Sequence, residues 1–261
     1  MIDLHCHILP GIDDGPATMD ESIEMCRIAR ADGITAIVAT PHFRPGRYDL
    51  SEGAITAAYE GLCSEVARLG IDIEILAGAD VTVTPELLIH LSQKSRLTIN
   101  KTGRFFLAEL PSAAVPARWD QYLLSLIARG FSPILTHPER NGWFLSHRDA
   151  LYPFVSAGGL VQITAMSLTG EVGEAAQSYS RYLLKQGLAH IIATDAHSAH
   201  QRKPLLSGAV AAAASIIGKD EAFRMVRDTP RAIIEGRRPD VAMPEQAVVP
   251  RRTWIERLLG A

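Results

Sequence analysis

Histidines and carboxylates in this sequence lie directly after short runs of β-forming residues. His5 and His7 flank Cys6 after the first run, and Asp195 and His197 have the same spacing after the last. In an extended chain, residues i and i+2 point to the same side, so each pair presents two potential ligand atoms to one point. Asp13 and Asp14 follow His7 in a glycine-flanked loop, and further imidazoles and carboxylates follow the runs in between: His42, Asp80, Glu109 and His137.

This set of side chains predicts a site for divalent metal ions. Several buried carboxylates would repel one another and lose hydration, and bound cations remove both penalties. A mixed set of imidazoles and carboxylates suits Mn, Fe, Zn or Co better than Ca or Mg. The set is large enough for two or three ions that share a bridging carboxylate. Their combined positive charge would attract a phosphate dianion.

Two arginines follow the predicted ligands closely. Arg140 comes three residues after His137, and Arg202 comes five residues after His197. Arginine binds phosphate in a bidentate manner and stays charged, so an arginine in a loop beside metal ions suits a phosphate monoester. For each arginine the alternative is a solvated surface side chain, and Arg140 could also pair with Glu139.

Each of these short patterns is a weak signal alone. A single His-x-His or Asp-x-His is often incidental, Asp80 could cap a turn, and Glu109 could be a buried ion-pair partner. Their convergence at successive strand ends is the specific signal. The other four histidines lack this context, and we interpret them as surface or helix residues (His90, His147), a strand-start residue (His190) and a reserve candidate near the site (His200).

The elements that must position these residues alternate regularly. Five helix-like stretches end at glycine, the residue best suited to the left-handed position that terminates a helix. Runs such as ITAIVAT, FSPILTH and LAHIIATD follow, and with IDLH and RFFLAEL they predict seven strands. The runs lack polar alternation, as expected for strands of a parallel sheet buried on both faces. In a parallel barrel the carboxyl ends of the strands converge on one face, where active sites lie. The glycines are Gly33, Gly70, Gly130, Gly158 and Gly187.

Composition excludes several classes of protein. The chain has 261 residues, 47% of them hydrophobic, and a net charge of −3, which disfavours both disorder and nucleic-acid binding. Its three cysteines, and the lack of a signal peptide or an apolar run of membrane-spanning length, lead us to expect a cytoplasmic protein without membrane insertion. We expect one domain over residues 1–238 and an extension over 239–261, in which Trp254–Leu259 forms a short amphipathic helix.

The motifs also resemble a known family. MIDLHCHILPGIDDGP, ATPH, GAD, AEL, THPER and ATDAHSAHQR occur in the order found in the PHP superfamily, and they most resemble the CpsB/YwqE-type bacterial protein-tyrosine phosphatases of capsular and exopolysaccharide gene clusters. The resemblance covers residues 1 to about 236. It implies an α/β fold, namely a distorted TIM-like (β/α)7 barrel of the PHP type. It also implies a divalent metal centre, usually with manganese, and a substrate that is the phosphotyrosine tail of a cognate polysaccharide-assembly kinase.

The resemblance further implies a role for each predicted residue. It assigns the ligands to three ions: His5, His7 and Asp195 to one, Glu109 and His137 to a second that shares Asp80 with the first, and Asp14, His42 and His197 to the third. Arg140 and Arg202 would hold the phosphate while a metal-activated hydroxide attacks phosphorus in line. The chain departs from the family in having Asp80 where Glu is usual, and Lys203 within the usual Arg-Pro-Pro run.

A thiol mechanism and three other functions are the alternatives. Cysteine-dependent phosphatases need an arginine six positions after the cysteine, and Ile12, Asp32 and Leu69 occupy those positions here. Cys6 is therefore interpreted as a small core residue. A histidinol-phosphate or other small-molecule PHP phosphoesterase would use the same site. A PHP exonuclease is disfavoured because no basic stripe is present, and a non-catalytic regulator of the kinase is disfavoured by the intact ligand set.

Overall fold

Short parallel strands form the centre of the fold. The computed structural model describes residues 1–48, 51–93, 95–111, 115–241 and 244. The strands within these ranges are β1 (Ile2–Cys6), β2 (Ala36–Ala39), β3 (His42–Phe43), β4 (Glu74–Ala77), β5 (Asp80–Thr82), β6 (Phe105–Glu109), β7 (Ser132–Thr136), β8 (Leu160–Thr164) and β9 (Ile191–Ala193).

Helices connect most of these strands and cover their outer surface. None of the described helices is both long and apolar enough to cross a membrane. The helices are α1 (Met19–Ala31), α2 (Glu52–Arg68), α3 (Leu87–Gln93), α4 (Trp119–Ile127), α5 (Gly142–Ser146), α6 (Tyr152–Ser156), α7 (Ala165–Thr169), α8 (Glu174–Lys185), α9 (Ser207–Ile217), α10 (Lys219–Arg224) and α11 (Asp228–Ile234).

The strands form two parallel sheets that together make an irregular barrel. One sheet has the order β1-β2-β4 and the other has the order β3-β5-β6-β7-β8-β9. Two residues separate β2 from β3 and β4 from β5, so both strand pairs run from one sheet into the other. On the opposite side, the His7 N–H donates to the Ala196 carbonyl over 2.8 Å, beside a parallel bridge between Cys6 and Ala196. The predicted α/β class and distorted barrel are confirmed.

The seven predicted strands are all present, and two of them continue beyond the predicted runs as β3 and β5 after a two-residue break. The interruption between β4 and β5 includes Gly78, where a Cβ atom would lie 2.7 Å from Val38 Cγ1. Only glycine permits the backbone at this position to approach Val38 of β2 so closely. The chain becomes extended again at Asp80, whose side chain is buried. The sequence runs alone do not reveal this break, because apolar residues continue on both sides of it.

Helix signals in the sequence are also confirmed. Thr18 caps α1, and its Oγ1 accepts a hydrogen bond from the Glu21 N–H over 3.3 Å. Ile23, Cys26 and Ala29 are buried, as their helical spacing predicts. The glycines expected to end helices have positive φ, with values of 91° at Gly33, 63° at Gly70, 92° at Gly130, 97° at Gly158 and 64° at Gly187.

Strand residues alternate between two cores. Phe105 and Leu107 of β6 pack in the barrel interior, whereas Phe106 and Ala108 pack against the outer helices. Glu109 follows Phe105 and Leu107 at the same two-residue spacing, so its side chain points to the same side of β6. Because Glu109 ends the strand, its carboxylate lies at the edge of the apolar interior. The predicted amphipathic helix at Trp254–Leu259 lies outside the described residues, as does most of the predicted extension over 239–261.

Candidate metal centre

All nine predicted ligands meet at the carboxyl ends of the strands. His5 lies in β1, His42 and Asp80 begin β3 and β5, and Glu109 ends β6. The remaining ligands lie in the loops after β1, β7 and β9. A pocket of about 250 Å³ opens above this cluster. The cluster is therefore at the face where parallel barrels hold their active sites.

The first predicted ligand set is closely packed. His5 Nε2 lies 3.2 Å from His7 Nε2 and 3.4 Å from Asp195 Oδ1, and His7 Nε2 lies 3.6 Å from the same oxygen. All three side chains are buried. Three ligand atoms at these mutual distances can coordinate a single ion.

The set predicted for the third ion lies on the solvent side. Asp14 Oδ1 is 3.5 Å from His42 Nε2 and 3.4 Å from His197 Nε2. His7 joins this group, in which ligand atoms of all four residues lie within 4.8 Å of one another. The Asp14 side chain is 49% exposed, so this part of the cluster faces the pocket.

Asp80 lies between the inner and outer groups. Its Oδ2 is 3.8 Å from His5 Nε2 and 3.3 Å from His42 Nδ1, and Glu109 Oε2 is 3.7 Å from the same His42 atom. The His137 ring centroid lies 5.6 Å from that of His5. The structure thus groups Asp80 with His5 and His7 on one side and with His42 and Glu109 on the other.

Three imidazoles are held so that Nε2 faces the cluster. Nδ1 of His7 donates to Asp13 Oδ2 over 2.7 Å, and Nδ1 of His197 donates to the Asp195 carbonyl over 2.9 Å. Nδ1 of His5 donates to Gln162 Oε1 over 3.0 Å. Such hydrogen bonds fix the tautomer and orientation of imidazoles that bind metals.

Electrostatics keep most ligands in the form that binds cations. Burial lowers the pKa of His7 and of His137 to about 4, so both rings are neutral at pH 7. Burial raises the pKa of Asp195, but the neighbouring His5, His137 and Arg202 outweigh it and hold this pKa below its usual range. His42 behaves differently, because Asp80 and the other carboxylates overcome burial and raise its pKa to about 9.

The residues fit divalent ions. Both oxygens of Asp80 are buried without a hydrogen-bond partner in the described part of the chain. With both Nδ1 protons donated elsewhere, the Nε2 lone pairs of His5 and His7 face each other at 3.2 Å. A cation between these nitrogens and beside the carboxylate satisfies all of these atoms, and nitrogen and oxygen donors suit Mn, Fe, Zn or Co.

Both predicted arginines reach the cluster. Arg140 donates to Asp195 Oδ2, and Arg202 donates to the same oxygen over 2.6 Å and to the Asp195 carbonyl over 2.8 Å. Glu139, the alternative partner of Arg140, is fully buried and accepts from the Thr164 N–H over 2.9 Å. Both arginines line the pocket, and their side chains are about one-third exposed, at 32% for Arg140 and 31% for Arg202.

The remaining histidines stay outside the cluster. His90 lies in α3 and His147 is exposed, as expected. His190 immediately precedes β9, and its Nδ1 accepts from the Val161 N–H over 3.1 Å. His200 is exposed and lines a different cavity, so its reserve role is wrong.

The cysteines take no part in this site. Cys6 is fully buried in the outer core, as expected for a small core residue. Burial raises the pKa of its thiol and raises that of Cys26 to about 12, so neither is a thiolate at neutral pH.

Sequence reasoning missed the residues that orient the ligands. The sequence pattern indicates Asp13 only as the neighbour of Asp14, and it does not indicate Gln162. Asp13 would have been identifiable as part of an acidic doublet after His-x-His. Gln162 carried a weaker signal, a single polar residue in the apolar run LVQIT. Tyr48, whose ring stacks on that of His42 at 5.4 Å, carried none.

The fold and site together define an α/β-barrel protein with a candidate centre for several metal ions at the carboxyl ends of its strands. The chain belongs to the CpsB/CapC family of capsular polysaccharide synthesis, whose profile matches residues 1–235. The resemblance found in the motifs is thereby confirmed.

Named relatives agree with this assignment. Tyrosine-protein phosphatase YwqE of Bacillus subtilis is 36% identical over 202 residues, which cover 77% of this chain and 79% of the relative. The putative tyrosine-protein phosphatase CapC of Staphylococcus aureus is 36% identical over 208 residues, covering 79% and 80%. Tyrosine-protein phosphatase CpsB of Streptococcus pneumoniae is 27% identical over 239 residues, covering 90% and 98%.

Solved structures extend the comparison to three dimensions. A crystal structure from work on YwqE of Bacillus subtilis and CpsB of Streptococcus pneumoniae, described as unique metal-dependent tyrosine phosphatases, has a TM-score of 0.87 and 31% identity, and covers 94% of this chain and 98% of that chain. Histidinol phosphate phosphatase of Lactococcus lactis shares the fold, with a TM-score of 0.57 at 14% identity over 84% and 92%.

Proposed function

We propose that this protein is a metal-dependent protein-tyrosine phosphatase. The observation that carries the proposal is the position of Asp80, a buried carboxylate that makes no hydrogen bond and lies between two groups of ligand atoms, below a pocket lined by two arginines that contact Asp195. Carboxylates and imidazoles bind divalent cations, and cations next to guanidinium groups bind the negatively charged oxygens of a phosphate monoester. The names of the relatives support tyrosine phosphate as the substrate.

The proposal includes two or three divalent ions, with manganese first and iron, zinc or cobalt as substitutes. When bound, such ions supply Lewis acidity to a water nucleophile and to the phosphoryl oxygens. The residues that would hold them are His5, His7 and Asp195 for one ion, Glu109 and His137 for a second with Asp80 between these two, and Asp14, His42 and His197 for a third.

The side chains around the pocket supply the remaining chemistry. Arg140 and Arg202 donate to Asp195 Oδ2 and line the pocket, so their guanidinium groups can also donate to the phosphoryl oxygens, where charge accumulates during transfer. The buried Asp13 and Gln162 keep two imidazoles fixed while charge shifts. Phenolate is a fairly good leaving group, so the reaction needs little help from a general acid.

We further propose the biological setting. The phosphotyrosine would belong to the tail of a cognate tyrosine kinase of polysaccharide assembly, which the capsule-synthesis family supports. Residues 1–238 would form the catalytic barrel. Three free cysteines among the described residues fit a reducing cytoplasm.

The test begins with protein stripped by EDTA. Mn, Fe(II), Zn or Mg is restored singly, and hydrolysis is measured with phosphotyrosine peptides, phosphoserine peptides and histidinol phosphate. Metal-dependent turnover that favours phosphotyrosine peptides is expected. A preference for histidinol phosphate would refute the substrate, and confirmed metal binding without turnover of any substrate would favour a non-catalytic regulator.

A double variant tests the site assignment. Glu109→Ala with His137→Ala should abolish hydrolysis and lower metal content while the folded circular dichroism spectrum remains. His147→Ala, which alters an exposed histidine outside the cluster, is the matched control and should keep wild-type turnover. Full metal-dependent activity in the double variant would contradict the assignment.

A further inference from the structure

A short loop after β3 forms one wall of the pocket. Arg44, Arg47 and Tyr48 of this loop line the same cavity as Arg140 and Arg202. No role in binding metal ions or the scissile phosphate falls to the three loop residues. Their position at the pocket mouth places them where the residues flanking a phosphotyrosine would lie.

The loop is held in place by its own contacts. The N–H groups of Arg47 and Tyr48 both donate to the Arg44 carbonyl, over 3.0 and 3.1 Å, and Gly46 supplies the positive φ of 81° that the tight turn requires. The Tyr48 ring stacks on the ligand candidate His42, with 5.4 Å between centroids and an interplanar angle of 7°. The Arg47 guanidinium lies 5.5 Å from the Tyr48 ring centroid, a cation–π distance.

The charges around the mouth are unevenly matched. Three carboxylates line the pocket: Asp195 accepts from both Arg140 and Arg202, Asp14 lies against the His42 and His197 imidazoles, and Glu109 lies 3.7 Å from His42 Nδ1. Within the described ranges, no carboxylate lies within 4.0 Å of the guanidinium groups of Arg44 or Arg47. The loop therefore adds positive potential to a concave site, which attracts anions.

We propose that Arg44 and Arg47 form a second anion subsite, which selects phosphotyrosine segments carrying another negative group beside the scissile phosphate. The proposal rests on the proposed phosphatase function. The second group is a carboxylate or the phosphate of a neighbouring phosphotyrosine, since a guanidinium binds both in the same bidentate manner. Tyr48 acts as a positioning residue that keeps Arg47 at the mouth.

Three phosphotyrosine peptides that differ at one flanking position test this subsite. The position carries Gln, Glu or a second phosphotyrosine, and p-nitrophenyl phosphate serves as the substrate without flanking residues. An exposed charge pair changes affinity up to about fivefold, so the two arginines together should change KM about tenfold. The wild-type metal-loaded protein should show a lower KM for both anionic peptides than for the Gln peptide, and added salt should reduce this preference.

The variant Arg44→Gln/Arg47→Gln should remove the preference. We expect its KM for the anionic peptides to rise about tenfold at unchanged kcat, and its values for the Gln peptide and p-nitrophenyl phosphate to stay within about twofold. Dissociation constants of a non-hydrolysable phosphonate peptide with a flanking Glu should rise by the same factor. The matched control, Arg27→Gln/Arg68→Gln, removes the same charge from exposed positions of α1 and α2.

The outcomes separate the two proposals. If wild type hydrolyses no phosphotyrosine substrate, the proposed function fails. If wild type does so without preferring anionic peptides, or if the loop variant and the surface control change KM alike, the phosphatase function stands and the subsite is refuted. A preference for the phosphotyrosine-flanked peptide alone would identify a phosphate, and not a carboxylate, as the second group.

Discussion

Asp13 is the residue whose replacement tests most directly how the candidate metal centre is positioned. Its side chain is 1% exposed and accepts three hydrogen bonds. The Oδ2 atom accepts from His7 Nδ1 over 2.7 Å and from the His42 N–H over 2.9 Å, and Oδ1 accepts from the Gly15 N–H over 3.0 Å. Because every partner is a donor, both oxygens must act as acceptors.

Asp13→Asn places an amide NH2 group against a donor in either orientation. If the NH2 group faces Gly15, a buried N–H loses its acceptor. If it faces His7, the ring must accept at Nδ1 and carry its proton on Nε2, the atom that faces the cluster. Loss of a partner that orients a metal-binding histidine lowers metal affinity about 10- to 100-fold, or about 1.4–2.7 kcal/mol. Leaving a buried donor unsatisfied costs about 1–3 kcal/mol of unfolding free energy.

Two measurements separate these effects. Competition with a chelator of known affinity gives the dissociation constant for Mn, and urea unfolding in EDTA gives the free energy of unfolding without metal. Asp20→Asn is the control, since Asp20 is an exposed residue in the first turn of α1. We expect the dissociation constant for Mn to rise and the free energy of unfolding to fall in Asp13→Asn, and neither to change much in the control. Manganese affinity within twofold of wild type in Asp13→Asn would refute the role of this carboxylate.

Three further predictions concern the pH dependence, the loop backbone and the phosphate site. In EDTA-stripped protein the pKa of His42 is raised from 6.5 to about 9, and the resulting stabilisation of the fold is complete below about pH 6.5 and is lost as pH rises through about 9. Urea unfolding should show a loss of at most about 3 kcal/mol in the free energy of unfolding over this range. Asp80→Asn should make that free energy less dependent on pH. Gly15→Ala would place a Cβ 2.5 Å from a backbone carbonyl oxygen, so a loss of about 1–3 kcal/mol in thermal unfolding is expected, whereas Gly142→Ala, with nothing within 4 Å, should be neutral. Arg140→Lys should lower kcat/KM for p-nitrophenyl phosphate about 100-fold with metal content unchanged, because lysine cannot donate in a bidentate manner; an equal loss of metal would instead indicate a structural role.

The sequence predicts the ligands well because most of them end or directly follow the strands of one parallel barrel, whose carboxyl ends meet at one face. His5 and His7 at i and i+2 face one point, and Glu109 continues the inward series of β6. Glycine after each helix and apolar runs without alternation are local signals, and they correctly predict the parallel α/β arrangement. These features depend only on short stretches of chain.

The sequence does not predict which groups orient the ligands, because those contacts join distant elements. Gln162, which accepts from His5, is 157 residues away along the chain. Asp13 and Asp14 are adjacent and chemically identical, yet the first is buried against His7 and the second is half-exposed beside His197. Only the path of the loop between β1 and α1 distinguishes the two carboxylates.

Buried polar atoms without hydrogen-bond partners give an independent argument for function. In the described residues they are both oxygens of Asp80, Nδ1 of His42, Nε2 of Gln162, Oγ1 of Thr164, Oε2 of Glu139 and Oγ of Ser167, and of these Asp80 Oδ2 and His42 Nδ1 lie 3.3 Å apart as an ion pair. Folded proteins satisfy nearly all such atoms, since each unsatisfied one costs about 1–3 kcal/mol. Apolar residues such as Leu107 of β6 fill the barrel interior on the side away from the candidate ligands. The core of the barrel therefore does not depend on these polar groups. Three of these atoms belong to the candidate ligands Asp80 and His42, and a fourth belongs to Gln162, which orients His5, so bound cations would satisfy groups that the protein alone leaves without hydrogen bonds.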